Sequence, residues 1–386
     1  MPVNRVVVIG ATGSIGQQAL EVIARFPDQL QLIGAVAGTQ AAALARALVP
    51  FPAARAVIVE PRDLVPEGMA VGREAACELA GSRDADVILV GGGGAGALLP
   101  TLAACGTGAV LAVATKEVMV MAGELVTATA SAHGTTILPV DSEHSAIWQC
   151  LRGEDPGSVA RLILTASGGP FRTTPLDQIP TASRDQALDH PNWRMGQKIT
   201  VDSATMMNKG LEVIEAHFLF DIPYDLIEVV VHPQSAIHSA VEFCDGTVMA
   251  QMGIPDMRAP IALALSGGRR LPGVVPPLHL EEVARLDFEP IDLRRYPALD
   301  VARRSAIRGG GVPAAMNAAN EVAVKAFLEG RIRFGAISEI VAEVSDAFPV
   351  SAVTSLAEVL AADSAGREQA AGLVQQAAVA LTGVGG

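Results

Sequence analysis

Short, wholly apolar runs alternate with alanine-rich amphipathic stretches over residues 3 to 140. VVVIG, LQLIGAVAG, AVIV, DVILVGG, AVLAVAT and TTILPV predict strands, and QQALEVIARF and LLPTLAAC predict helices between them. Strands apolar on both faces must be covered on both, so the alternation predicts a parallel sheet between two layers of helices. From 141 to about 265 the pattern is mixed. Helix AIWQCL, strand RLILTASGG, a loop near 190–198 broken by Pro and Gly, helix ATMMNKGLEVIEAHFLF and strands IEVVVH, IHSAVEF and TVMAQMG predict a second α/β domain. Four prolines between Ser266 and Asp292 mark a linker, and AAMNAANEVAVKAFLEG and AEVLAADSAGREQAAGLVQQAAVAL predict a small helical domain over 293–386.

The length of 386 residues suits two or three domains with real cores at about 150 residues each. Half the residues are hydrophobic and 18% are charged, which excludes wholesale disorder. Lys and Arg number 28 against 41 Asp and Glu, a net charge of −13. Such a charge opposes nucleic acid and anionic membrane surfaces, so any bound phosphate needs a local cationic site. Aromatics at 4% are too few for a base-stacking platform. Val87 to Thr115 carries no charge, but Gly91 to Gly94, Gly96, Pro100, Gly106 and Gly108 break it into strand, loop, helix, turn and strand rather than a membrane span. The opening MPVNRVVVIG has no export-signal pattern, and Cys77, Cys105, Cys150 and Cys244 form no Cys-x-x-Cys pair. A cytoplasmic protein is expected.

The first strand runs into Gly10, Thr12, Gly13, Ser14, Ile15 and Gly16, then a helix. Glycines there let backbone approach a pyrophosphate, whose charge meets the free N–H groups of the helix start; a tight packing turn is the competing reading. The second strand ends at Gly38-Thr39-Gln40 without the acid that would bind an NAD ribose. This favours NADP, although neither Thr39 nor Gln40 carries positive charge. Asp141-Ser142-Glu143 follows strand ILPV, where open α/β sheets place ligands; the tripeptide serves equally as a helix N-cap. Asn208 and Glu212 lie i, i+4 on one helical face with Lys209 beside them. Oxygen-only ligation by such acids suits Mg²⁺ or Mn²⁺ rather than zinc. Ser167-Gly168-Gly169 is a turn able to hold phosphate, and also able to be only a turn. From His190 to Lys209, Arg194, Lys198 and Lys209 face one anion, the local cationic site that the overall charge requires. His232 and His238 have a metal-like spacing, but Pro233 breaks any helix between them. No base stands beside Cys105 or Cys150, so a thiol nucleophile is unsupported.

GATGSIG at Gly10–Gly16, LLPTLAAC, LPVDSEHSAIWQ, LTASGGPFR, HPNWRMGQKITVDSATMMNKGLEVIEA, HPQSAIHSAVEF, GIPDMRAPIA and NAANE together resemble the 1-deoxy-D-xylulose 5-phosphate reductoisomerase family over nearly the whole chain. The resemblance implies an α/β protein with an N-terminal Rossmann-like parallel sheet, a central α/β catalytic domain and a small C-terminal helical domain. Residues 1–140 would bind NADPH, 141–265 would carry catalysis, dimerisation and a substrate flap near 190–198, and 266–292 would link to 293–386. It implies that Asp141, Glu143 and Glu212 hold Mn²⁺ or Mg²⁺, with Co²⁺ a further option. Lys116 and Ser142 would approach substrate hydroxyls, and Ser167, Ser203, Asn208 and Lys209 the phosphate. His190 and Trp193 would belong to the flap, with Met195 and Met257 lining the nearby space. Gly38, Gln40, Thr115, Glu117 and Gly196 would join the glycine turn in holding the cofactor. The substrate would be a sugar phosphate, rearranged and reduced to 2-C-methyl-D-erythritol 4-phosphate, and the assembly a homodimer. This chain departs from the family pattern at Thr115, where Asn is common, at Thr39 and Gln40, and in the glycine-rich loop Gly91–Ala97. Two other readings compete: a dehydrogenase that reduces without rearrangement, and a dinucleotide sensor without turnover.

Overall fold

The computed structural model describes residues 3–193 and 195–383. In chain order it opens with β1 (Asn4–Ile9), α1 (Ser14–Arg25), β2 (Leu30–Ala37), α2 (Ala41–Ala47), β3 (Arg55–Ile58), β4 (Ala70–Val71), α3 (Arg73–Ala80) and β5 (Val87–Val90). There follow α4 (Leu98–Cys105), β6 (Val110–Val113), α5 (Lys116–His133), β7 (Thr136–Pro139), α6 (Ser142–Cys150), β8 (Val159–Ala166), α7 (Arg184–Leu188), α8 (Gln197–Thr205) and α9 (Met207–Phe220). The chain continues through β9 (Ile227–Val231), β10 (Ile237–Phe243), β11 (Val248–Met252), α10 (Arg258–Leu265), α11 (Leu280–Val283) and β12 (Glu289–Pro290). It closes with α12 (Pro297–Arg308), α13 (Val312–Leu328), α14 (Phe334–Ala347) and α15 (Leu356–Gly383). Contacts divide it into a first unit of residues 1–118, 126–152 and 256–278, and a second of 119–125, 153–255 and 279–386. Among the described residues no helix is long and apolar enough to cross a membrane.

The first unit is a seven-stranded sheet in the order β4-β3-β2-β1-β5-β6-β7, and all its pairings are parallel. The six predicted strands are all present, while β4, two residues long, has no pattern that announces it. Order reverses at β1, with β2 on one side and β5 on the other, the topological switch point at which doubly wound sheets bind ligands. Helix α1 buries Gly16, Ala19, Leu20, Val22 and Ile23, the 3.6-residue period of a helix laid on a sheet. They pack with Val6, Val8, Leu30, Leu32, Val87 and Leu89 into one core, which Ile261 and Leu265 of α10 complete.

The turn from β1 to α1 is built on glycine for steric reasons. Gly10 holds φ +87°, and a Cβ on Gly16 would stand 2.2 Å from the Gly10 carbonyl oxygen. Gly16→Ala is therefore expected to cost about 2–3 kcal/mol of stability, as overpacking does, with Gly38→Ala, where nothing lies within 4 Å, as the neutral control. Equal denaturant midpoints for the two variants would refute this.

The second unit carries a mixed sheet in the order β11-β10-β8-β9-β12. β8 and β9 are parallel, and β10 runs antiparallel to both β8 and β11. The proline-rich stretch 266–292 contains α11 and β12, whose Glu289 and Pro290 pair with Val231 and Val230. The stretch ATMMNKGLEVIEAHFLF, expected as one helix, is divided: Met206 takes φ +65°, ending α8 and starting α9. In the same unit α13 packs against α14 and α15. The alanine-rich face of α13 is buried almost throughout, which explains its weak amphipathic signal.

Candidate active site

The first unit brings together Lys116, Asp141, Ser142 and Glu143. Asp141 lies two residues beyond β7 and N-caps α6, and Lys116 opens α5 one strand over. The Lys116 ammonium is ion-paired with the Asp141 carboxylate, and both side chains are largely buried. Burial alone would raise the Asp141 pKa; the Lys116 charge, His144 and a hydrogen bond with Glu143 outweigh it and hold the carboxyl well below its usual range. Glu143 N donates to Asp141 Oδ1 at 3.4 Å, and Ser142 Oγ donates to Glu143 Oε2 at 2.5 Å. Asp141 thus does cap the helix, loosely, while its charge is committed to Lys116. The metal and capping readings are compatible.

Elsewhere in this unit Gly13 N-caps α1 without a side-chain hydrogen bond, with Thr12 and Ile15 partly exposed and Ser14 exposed beside it. Gly38 and Gln40 follow β2, Gln40 as the N-cap of α2. Thr115 N-caps α5, with Lys116 and Glu117 next to it. Its hydroxyl donates to the Gly92 carbonyl, which ties α5 to the glycine-rich loop. Thr115 and that loop, both departures from the family pattern, are therefore in direct contact. Met257 packs partly buried against the unit's core.

The second unit holds the remaining residues. On α9, Glu212 is fully buried and both of its carboxylate oxygens are engaged, by Asn208 Nδ2 at 2.5 Å and by the Lys209 ammonium. Asn208 Oδ1 is buried without a hydrogen-bond partner among the described residues, an acceptor open to a ligand's donor or to water. Ser203 lies on α8 one turn from the Met206 break, and that break lets α9 start in a new direction. The turn after β8 is compressed against α8: a Cβ on Gly169 would come 2.8 Å from the Ser203 carbonyl oxygen. Gly168 O accepts from the Tyr296 hydroxyl at 2.7 Å.

His190 sits above that turn. Its Nδ1 accepts from the amides of Asn192 and Trp193 at 3.2 and 2.9 Å, so the proton belongs on Nε2, which donates to Ser167 Oγ at 3.1 Å. Burial lowers the His190 pKa, keeping the ring neutral. Asn192, for which the sequence pattern predicts no role, donates to Pro233 O at 2.7 Å and Ser235 Oγ at 2.8 Å, and the Trp193 ring stands 6.4 Å from that of His238. The HPQSAIH segment is thus a platform for the 190–196 loop. His232 in it bonds Asp287 O and the Ala236 amide and stacks on Phe288, a structural histidine. Met195 and Gly196 follow in the loop, Gly196 as the N-cap of α8, while Arg194 lies outside the described residues. Lys198 pairs with the buried Asp202 at 2.8 Å, which also accepts from Asn320 of α13 at 2.8 Å. Burial pushes the Cys105 thiol up to about 11, away from the thiolate form that attacks as a nucleophile.

A doubly wound parallel sheet entered through a glycine turn, in one chain with a mixed α/β unit that buries a lysine–carboxylate pair, defines the class of dinucleotide-dependent α/β oxidoreductases. Residues 6–123 match the family described as 1-deoxy-D-xylulose 5-phosphate reductoisomerase, and 137–220 and 252–369 match its C-terminal domain descriptions. The chain belongs to that family. It is 46% identical to the reductoisomerase of Thermodesulfovibrio yellowstonii, covering 95% of this chain and 98% of the relative. Identity to the Pseudomonas fluorescens enzyme is 48%, over 95% and 96%. The solved Zymomonas mobilis reductoisomerase in complex with NADPH superposes with a TM-score of 0.89 at 43% identity, covering 97% of this chain and 99% of that one. A DOX-P reductoisomerase in complex with NADPH, fosmidomycin and magnesium gives 0.89 at 37% identity, covering 97% and 98%.

Proposed function

We propose that this chain rearranges and reduces 1-deoxy-D-xylulose 5-phosphate to 2-C-methyl-D-erythritol 4-phosphate, using NADPH and a divalent cation, Mn²⁺ or Mg²⁺. Family membership over nearly the whole chain is the observation that carries this reading. The residues fit both groups. Asp141, Glu143 and Glu212 offer hard carboxylate oxygens and no thiolate, the donor set of Mg²⁺ or Mn²⁺. The α1 start, free of a side-chain cap, suits a pyrophosphate. Bound there, the cation would polarise the substrate ketone and its neighbouring hydroxyl as a Lewis acid, and NADPH would supply the hydride.

The chain's own side chains supply the rest. Lys116 keeps Asp141 ionised and presents an ammonium at the β7 edge, within the reach of a substrate hydroxyl that Ser142 shares. Lys209, Asn208, Ser203 and Ser167 take the phosphate, Lys209 with its charge and the others with neutral polar groups. Neutral His190 donates to Ser167 Oγ, which fixes that hydroxyl while the 190–196 loop covers the substrate with Trp193. Binding energy from the phosphate, remote from the reacting carbons, then serves to exclude water. Gly10, Thr12, Gly13, Ser14, Ile15, Gly16, Gly38, Gln40, Thr115, Glu117 and Gly196 hold the dinucleotide. Residues 1–140 form the cofactor-binding part and 141–265 the catalytic and dimer-forming part, in a cytoplasmic homodimer.

Chelator-stripped protein is expected to lose NADPH oxidation with 1-deoxy-D-xylulose 5-phosphate and to regain it on adding Mn²⁺. An undiminished rate without metal would refute the rearrangement and favour simple reduction.

A further inference from the structure

The acid that many dinucleotide-binding sheets carry at the end of their second strand is absent from its usual place: β2 stops at Ala37 and Gly38, Thr39 and Gln40 follow. The fold delivers a carboxylate to the same edge by another route. Beyond β3 the chain runs back along the 38–40 turn, with the Glu60 amide donating to Gly38 O at 2.8 Å and the Arg62 amide to Thr39 O at 3.0 Å. Asp63 is thereby laid across the start of α2, where Oδ1 accepts from Ala41 N at 2.8 Å and Oδ2 from Ala42 N at 2.9 Å. These bonds, Ala42 first, with a smaller contribution from Arg46, hold the Asp63 carboxyl below its usual range, so it is ionised at neutral pH. Nearby, Glu60 is ion-paired with Arg73 at 2.5 Å, so the positive charge of Arg73 is already matched.

We propose that Asp63 is a specificity-determining residue for the dinucleotide: its carboxylate, fixed beside the β2 terminus, accepts from a ribose 2′-hydroxyl and repels a 2′-phosphate, and so narrows the preference for NADPH over NADH. The proposal rests on the reductoisomerase reading. Two first-turn amides that could have met the phosphate are spent on Asp63, and Thr39 and Gln40 return no positive charge. Each carboxylate oxygen keeps a lone pair for a hydroxyl donor.

Asp63→Asn removes the charge and keeps one oxygen for an α2 amide; Asp63→Ser keeps a capping hydroxyl and serves if the first variant folds poorly. Calorimetric titration with adenosine 2′,5′-bisphosphate and with AMP reads the effect without metal or turnover, and NADPH and NADH kinetics read it in the working enzyme. Either variant is expected to bind the bisphosphate at least about fivefold tighter, with AMP affinity within about twofold, because a screened surface charge is removed. The NADPH-to-NADH ratio of kcat/KM should rise by a similar factor, through KM. Unchanged ratios for folded variants would reduce Asp63 to a helix cap and overturn the inference, leaving the reductoisomerase reading standing. A parent chain that bound neither adenosine ligand and oxidised neither dinucleotide would overturn both.

Discussion

Glu212→Gln is expected to lower kcat by about a thousandfold or more, the several kcal/mol that a metal-polarised transition state draws from its ligand set. The substitution keeps shape and removes charge. Glu212 is fully buried, with donors of Asn208 and Lys209 on its two oxygens, so a glutamine must turn its amide NH2 toward one of these donors. Affinity for Mn²⁺ should fall together with kcat. Dinucleotide affinity should not, because the glycine turn belongs to the first unit and Glu212 to the second. A Mn²⁺ titration of turnover, beside a direct NADPH titration, separates the two. Undiminished turnover across the metal titration would remove Glu212 from the cation site, and partial recovery in Glu212→Asp would distinguish ligation from packing.

Lys209→Ala breaks the same ion pair and should leave a different kinetic signature. If Lys209 meets a desolvated phosphate, its loss costs roughly 2–5 kcal/mol of substrate binding, about 30-fold to several thousandfold in KM. The damage is confined to the phosphate end: 1-deoxyxylulose without its phosphate should be turned over about as poorly by the variant as by the parent. A variant that still favours the phosphorylated substrate to the parent's degree would place the phosphate elsewhere. The deletion also strands a buried carboxylate, so thermal midpoints must accompany the kinetics, with Lys209→Arg as the charge-preserving partner. A fall in kcat in Glu212→Gln against a rise in KM in Lys209→Ala assigns the two ends of one ion pair to two different parts of the substrate.

Where side-chain pattern controls structure, the sequence was legible. The six apolar runs of the first unit became strands because each is buried on both faces, and the glycine turn was readable because a Cβ at Gly16 has no space. Patterns failed where structure depends on a distant partner. β12 exists because Glu289 and Pro290 meet β9, and nothing within the proline-rich stretch records that pairing. The break at Met206 leaves no mark in the sequence because an apolar residue suits a buried helix and a buried turn equally. Asn192 acts through Pro233 and Ser235, some forty residues on, and Asp63 through amides some twenty residues before it.

The order of residues alone determined the chemical inventory: which acids, lysines, hydroxyls and glycines are present, on which kind of element, and hence the family. Tertiary structure alone decided which of them share a proton, a charge or a lone pair. Lys116 is ion-paired with Asp141, 25 residues on, and His190 could have taken either tautomer until two backbone amides claimed Nδ1. The reason lies in range: hydrophobic period and glycine sterics act over a few residues and leave a local trace, whereas ion pairs and hydrogen bonds act over ångströms in space and leave none along the chain.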